Sequence, residues 1–203
     1  MRVRGCGPVL AAQGADNCGC RLGSCDDCRM KLSRTERWIL SNQLRILEGL
    51  NPKEAADLRE QREALERGYE YMYPELCPHI YADKDCMPRA ESDEVIEILS
   101  LFDTLRWSLE KAEDAGGLKA EDVRFWGFDG NSEGRQMAFC RYFCREGGGR
   151  FEHLERGDDF NSHFPALDGY RRMLAVWRAG GRKNPLPPDE VKAILAARRH
   201  PDA

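Results

Sequence analysis

The stretch from Ser92 to about Glu113 constrains this chain most. Val95, Ile96, Ile98, Leu99, Leu101, Phe102, Leu105, Trp107 and Leu109 recur at helical spacing but spread over more than one stripe. A helix apolar around much of its circumference has to be enclosed by other helices or shared with another subunit. Ser92 is the expected cap, and Gly116-Gly117 the stop. With 203 residues the chain can bury one good core but is short for two independent ones. No segment alternates apolar and polar residues with period two over a useful length. The reading is an all-α fold, a multihelical single domain of about six helices.

The neighbouring helices follow from local chemistry. Ser33-x-x-Glu36 is a capping box, and Ile39, Leu40, Leu44, Ile46, Leu47 and Leu50 form an apolar face behind it until Gly49 and Asn51-Pro52. A second helix is predicted from Pro52 to about Arg67, stopped by Gly68. Tyr69 to Ala90 reads as a long irregular connection rich in tyrosine and proline. Past Asp129, Asn131 or Ser132 as cap, a helix runs to about Arg145, and Met137, Cys140, Phe143 and Cys144 share one face of it, with the cysteines as small core hydrophobes. Leu167 to Trp177 makes a fifth helix before Gly180-Gly181, and Pro187-Pro188-Asp189-Glu190 opens a short last one.

Residues 1–29 differ from the rest. They are rich in Gly, Ala, Cys and Asp with almost no large apolar side chain, so alone they cannot offset the entropy of ordering. Three readings stand: a disordered leader or a start called ahead of Met30, a zinc site on Cys18, Cys20, Cys25 and Cys28, or a tag for a partner. Residues 30–203 then form the helical domain. The cysteine total is nine, an odd number, and no secretory context accompanies it, which argues against a disulfide framework and for the cytoplasm. A net charge of −4 offers no footprint for nucleic acid, and no apolar run is long enough to span a bilayer. Apart from zinc on the leader, no cofactor is expected; Cys77, His79 and Cys86 lack a fourth ligand.

Chemistry concentrates in Val123–Arg135, V-R-F-W-G-F-D-G-N-S-E-G-R, a dense aromatic, glycine and acid turn. Asp129 and Glu133, at i and i+4, suit either an acid/base or divalent-cation pair, or an N-cap with a first-turn glutamate, and Arg135 is placed to pair with either. Ser41, Asn42 and Gln43 are polar positions in mid-helix, spanning enough of its circumference that one should face inward, with Arg67 and Tyr69 as possible partners. Asn42 and Gln43 can alternatively fix a polar contact between subunits. The four histidines, His79, His153, His163 and His200, lie in loops or the tail, and no nucleophile–base pair is apparent.

Arg37-Trp38-Ile39-Leu40-Ser41-Asn42-Gln43, Glu66-Arg67-Gly68-Tyr69, Phe125-Trp126-Gly127-Phe128-Asp129, Arg141-Tyr142-Phe143 and Tyr170-x-x-Met173-Leu174-x-Val176-Trp177 occur in that order. On these motifs, from about Met30 to Leu195, the chain resembles the YfbU family of small bacterial proteins without an assigned activity. The resemblance implies a multihelical fold, self-association and a native start near Met30; it carries over no catalytic residue, and the cysteine leader departs from it. The leading expectation is a cytoplasmic homo-oligomer acting as a binding or regulatory module. The competing one is a hydrolase-type enzyme using Asp129 and Glu133, with Arg67 or Arg135 orienting an anionic substrate.

Overall fold

The periodic stretches fold as α1 (Arg34–Leu50), α2 (Ala55–Arg67), α3 (Arg89–Lys111), α4 (Gly134–Arg145), α5 (Leu167–Ala179) and α6 (Pro188–Ala196), joined by short 3-10 turns. The computed structural model describes residues 30–147 and 149–199. Among them the one β pairing is an isolated parallel bridge between Phe128 and Asn161, so the protein is all-α. The described residues divide into two compact units, the boundary falling between Cys86 and Met87.

In the first unit the capping box forms as the sequence predicts. Ser33 Oγ accepts the Glu36 N–H at 3.2 Å, and Glu36 Oε2 accepts the Ser33 N–H at 2.7 Å. α2 starts later than expected, because Pro52, Lys53 and Glu54 make a turn and only Ala55 enters the helix. Gly68 ends it in the left-handed region at φ +72°, where Tyr69 N–H reaches back to Ala64 O at 2.9 Å. The Tyr69–Ala90 connection is less irregular than it reads, holding 3-10 turns at Glu70–Leu76 and Asp83–Asp85. Of its tyrosines, Tyr73 is buried, while Tyr71 and Tyr81 are exposed.

α1 and α2 meet through polar side chains. Arg62 reaches Glu48 at 2.6 Å and Glu66 at 2.8 Å, and Glu66 also accepts from Ser41 Oγ at 3.0 Å and Arg45 at 3.2 Å. The Arg62 guanidinium holds the carboxyls of Glu48 and Glu66 below the usual range, with the Ser41 hydroxyl helping at Glu66. Both folded values lie under the unfolded one of about 4.3, so this support is complete above that pH and is lost as pH falls through the depressed values. Amide exchange in α1 and α2, corrected for intrinsic rates, should lose protection below roughly pH 4. Protection unchanged down to the pH where Glu48 and Glu66 are fully protonated would contradict an ion-held hairpin.

In the second unit α3 is the central helix. It begins at Arg89, just after Pro88, whose extended backbone (ψ 147°) sends the chain into the first turn, so Ser92 is not the cap and its Oγ donates to Pro88 O at 3.5 Å instead. Val95, Ile98, Leu99, Leu101, Phe102 and Leu105 are fully buried within the unit's own core, which α4, α5 and α6 complete. The breadth of its apolar surface is thus accounted for by intrachain burial, the first of the two alternatives its pattern allows. Ser108 satisfies its buried hydroxyl twice, donating to Thr104 O at 2.6 Å and accepting from Leu186 N–H at 2.8 Å. Glu94 with Arg171, and Glu97 with Arg178 and Arg182, tie α3 to α5 and the loop after it. Cys140 and Cys144 are buried in the core with sulfurs 4.0 Å apart, and the shared thiol contact together with burial pushes ionisation of Cys140 up.

Candidate functional site

The Val123–Arg135 turn splits its aromatics between two sides. Phe125 and Phe128 are buried, with ring centroids 5.7 Å apart, and Phe125 also lies 5.1 Å from Phe102 and 5.6 Å from Tyr170. Trp126, between them, is only partly buried, and the Arg124 guanidinium sits 4.4 Å over its ring. Gly127 lets the two loops touch. Its φ is +84°, and Phe128 N–H donates to Phe160 O at 2.9 Å while Ser162 N–H donates to Phe128 O at 3.1 Å. The buried Tyr170 hydroxyl donates to Gly127 O at 3.0 Å and accepts the Trp126 N–H at 3.3 Å; burial raises its pKa.

The two carboxylates of the turn are both buried, and all four of their oxygens are engaged. Asp129 Oδ2 accepts from Ser132 Oγ at 2.6 Å and Ser132 N–H at 3.2 Å, and Oδ1 accepts from Asn131 N–H at 3.4 Å. The Ser132 hydroxyl, first among these, holds the Asp129 carboxyl below its ordinary value. Asp129 therefore closes the turn leading into α4, and the helix itself begins only at Gly134. Glu133 does something the local sequence does not suggest. Its Oε1 accepts from Ala166 N–H at 2.9 Å and Leu167 N–H at 2.7 Å, and its Oε2 from Asp129 N–H at 3.0 Å. It caps α5, a helix whose own preceding residue, Ala166, has no capping side chain. The expectation that Glu133 serves the dipole of α4 is replaced by this longer-range role. Arg135 pairs with neither acid but with Glu91 of α3, at 3.6 Å.

The other sequence candidates lie in the first unit. Of Ser41, Asn42 and Gln43 it is Ser41 that faces inward, onto Glu66. Asn42 is half-buried and Gln43 exposed, and neither amide has a hydrogen bond among the described residues. Arg67 pairs with Glu63 at 2.8 Å on the surface. Tyr69 lines a cavity of about 500 Å³ whose rim carries Asp57, Glu60, Glu63 and Glu75. Such a rim repels an anionic substrate. Cys18, Cys20, Cys25, Cys28 and His200 lie outside the described residues, and among those described no group of three or more His, Cys, Asp or Glu side chains is placed to hold a metal ion. His153 Nε2 lies 2.7 Å from Asp103 Oδ1, and no hydroxyl or thiol joins them among the described residues.

What sequence reasoning missed is the direction α1 faces. Arg37, Ser41, Leu44 and Glu48, spaced four, three and four apart, turn toward α2. Two positions on, about 200° around the helix, Ile39, Gln43, Ile46 and Leu50 repeat the same spacing on the opposite side and are exposed. Trp38 and Leu47 flank them, and Trp38, Ile46 and Leu50 are each more than 60% exposed. The apolar face of an amphipathic helix normally covers its own core; here it points outward.

Fold and site together define an all-helical protein with a structural acidic clasp and an apolar helix turned to the outside. The YfbU domain matches residues 30–197, and the chain belongs to the YfbU family. It is 36% identical over 173 residues to the UPF0304 protein MJECS11 of Methanocaldococcus jannaschii, covering 82% of this chain and 99% of that protein. That relative is archaeal, so the resemblance is not confined to bacteria. No helix among the described residues is long and apolar enough to cross a membrane.

Proposed function

We propose that this protein is a homo-oligomeric binding or regulatory module in which α1 is the subunit contact and a second copy of the chain is its occupant. The observation that carries the reading is the outward seam Ile39–Gln43–Ile46–Leu50. Its four-three-four spacing is that of a helix meeting another helix edge on, and such a seam is complementary to itself. Gln43 sits within it as the single polar member, the position from which one amide fixes register at some cost in stability. The 17-residue helix is about 25 Å long, and Trp38 and Leu47 widen the strip beyond the seam. An apolar strip of that length left in water marks an association surface. The cytoplasm suits the module, because Cys140 and Cys144 are free thiols there.

The carboxylates of Asp129 and Glu133 support a structural reading over an acid/base one, since their oxygens are already committed to donors of the chain. Introducing charge into the seam tests the proposal. Ile46→Glu, on an exposed side chain, should leave the helical signal intact and convert the multimer to monomer at about 10 µM in light scattering. A variant that keeps the wild-type mass would remove α1 as the contact, and a wild-type protein that is monomeric while holding a different protein would make the occupant a foreign partner.

A further inference from the structure

We propose that the cavity beside Trp126 binds a small molecule carrying a flat ring and a carboxylate or phosphate group, with Arg198 as the anion anchor. The cavity is in the second unit, measures about 440 Å³, and is walled by Trp126, Phe164, Tyr170, Arg172 and Arg198. That volume suits a ligand the size of a nucleoside or a substituted indole. The inference concerns this cavity alone and does not depend on the subunit contact at α1.

The ring side is provided by Trp126 and Phe164, whose centroids stand 6.2 Å apart at 60°. Phe164 is a half-exposed phenyl, and Trp126 is the one aromatic of its turn not committed to the core. Aromatic faces at this separation favour a further ring by offset or edge contact.

The anion side is provided by Arg198. Its Nη1 is buried and has no hydrogen-bond partner among the described residues, and no carboxylate there pairs with its guanidinium. Arg198 lines the cavity and its cation has no ion-pair partner among the described residues, so an anionic group is the complement its charge lacks. Arg198 is also held in place. Arg172 donates through Nε to Ala197 O at 3.1 Å and through Nη2 to Arg198 O at 2.6 Å, pinning the turn after α6 against α5. Gly169 makes that approach possible, since a Cβ there would come within 3.1 Å of Arg198 O and 3.2 Å of its Cγ. Arginine matches the planar oxygens of carboxylate and phosphate with its fork of donors. Asp168, the acid on the same wall, is exposed and pairs with Arg171 at 3.3 Å. The leading N–H groups of α5 are already taken by Glu133, so the anchor is the guanidinium and not the helix end.

Calorimetric titration of the full chain with adenosine monophosphate and with indole-3-acetate tests this, with adenosine and indole as uncharged counterparts. At least one anion should saturate with a dissociation constant below about 1 mM, at least about tenfold tighter than its uncharged counterpart. Saturation by the nucleotide alone assigns a phosphate ligand, and by the indole acid alone a carboxylate. Arg198→Gln should weaken that anion about tenfold or more with an unchanged melting temperature, because the side chain makes no hydrogen bond among the described residues. Phe164→Ala, at a half-exposed position, provides a second variant that should lose the same ligand. Failure of both anions to saturate, or equal affinity in Arg198→Gln, would overturn the proposal.

Discussion

Gly127→Ala is expected to destabilise the second unit by more than about 4 kcal/mol, the class of loss reserved for changes a fold cannot absorb. Two effects combine. The residue sits at φ +84°, a region costing an L side chain about 1–2 kcal/mol. A Cβ would also fall 2.0 Å from Phe160 O and 2.2 Å from its carbonyl carbon, and neither atom can step aside as a flexible side chain would. To accept the methyl, the 123–135 and 151–164 loops must separate. That breaks the Phe128–Phe160 and Ser162–Phe128 hydrogen bonds and displaces Phe125, Phe128 and Phe160 from the core. Gly117 supplies the control. Its φ is +83°, nearly the same, but nothing lies within 4 Å of a Cβ there. Gly117→Ala should therefore lose only the conformational part, about 1–2 kcal/mol. Urea denaturation of both variants separates the effects, and equal losses would show that the close approach at Phe160 is not what the fold requires.

Glu133→Ala comes second in size. The change deletes one carboxylate and strands the N–H groups of Asp129, Ala166 and Leu167, all at buried residues. Each unmet buried donor costs about 1–3 kcal/mol, so three give an additive range of about 3–9 kcal/mol, and water entering the vacated space keeps the loss in its lower half, roughly 3–6 kcal/mol. Against a typical total of about 5–15 kcal/mol, that brings the unit near its folding threshold. Glu133→Gln discriminates between roles. Its amide oxygen can still accept from Ala166 and Leu167, but its NH₂ then faces the Asp129 N–H, donor against donor. A loss of about 1–3 kcal/mol is expected, between wild type and alanine. A glutamine variant with the wild-type melting temperature would contradict the clasp and return Glu133 to the list of acids free for chemistry.

These two residues also show what was and was not legible in the sequence. The capping box at Ser33 and Glu36, the stop at Gly68 and the lack of strands among the described residues are consequences of chemistry within four residues, and each agrees with the pattern. Glu133 is different in kind. Its partners are 33 and 34 residues away, and nothing near it in the chain announces that α5 lacks its own cap. α1 shows a related limit. Its apolar face is legible from helical spacing, but the side that meets α2 is not, because the polar seam of Arg37, Ser41 and Glu48 has an equal claim to an interface once Arg62 and Glu66 stand across from it. For α3, breadth of apolar surface was legible while its cause was not, since enclosure by neighbours and enclosure by a subunit leave the same pattern. The start of α3 shifted because Pro88, lacking an N–H and fixed in φ, is a better first-turn boundary than the serine downstream. Nothing in the sequence singles out Arg198; that it has no carboxylate partner among the described residues is apparent only in the folded chain.

The central claim is that α1 turns its apolar seam outward to meet another copy of the chain. Native mass spectrometry of the full-length protein at low micromolar concentration tests it most directly, by counting subunits and weighing anything else that remains bound. The account predicts an assembly of two or more copies that collapses to single chains when Ile46 is replaced by glutamate. A wild-type spectrum containing only the 23.2 kDa monomer would contradict it.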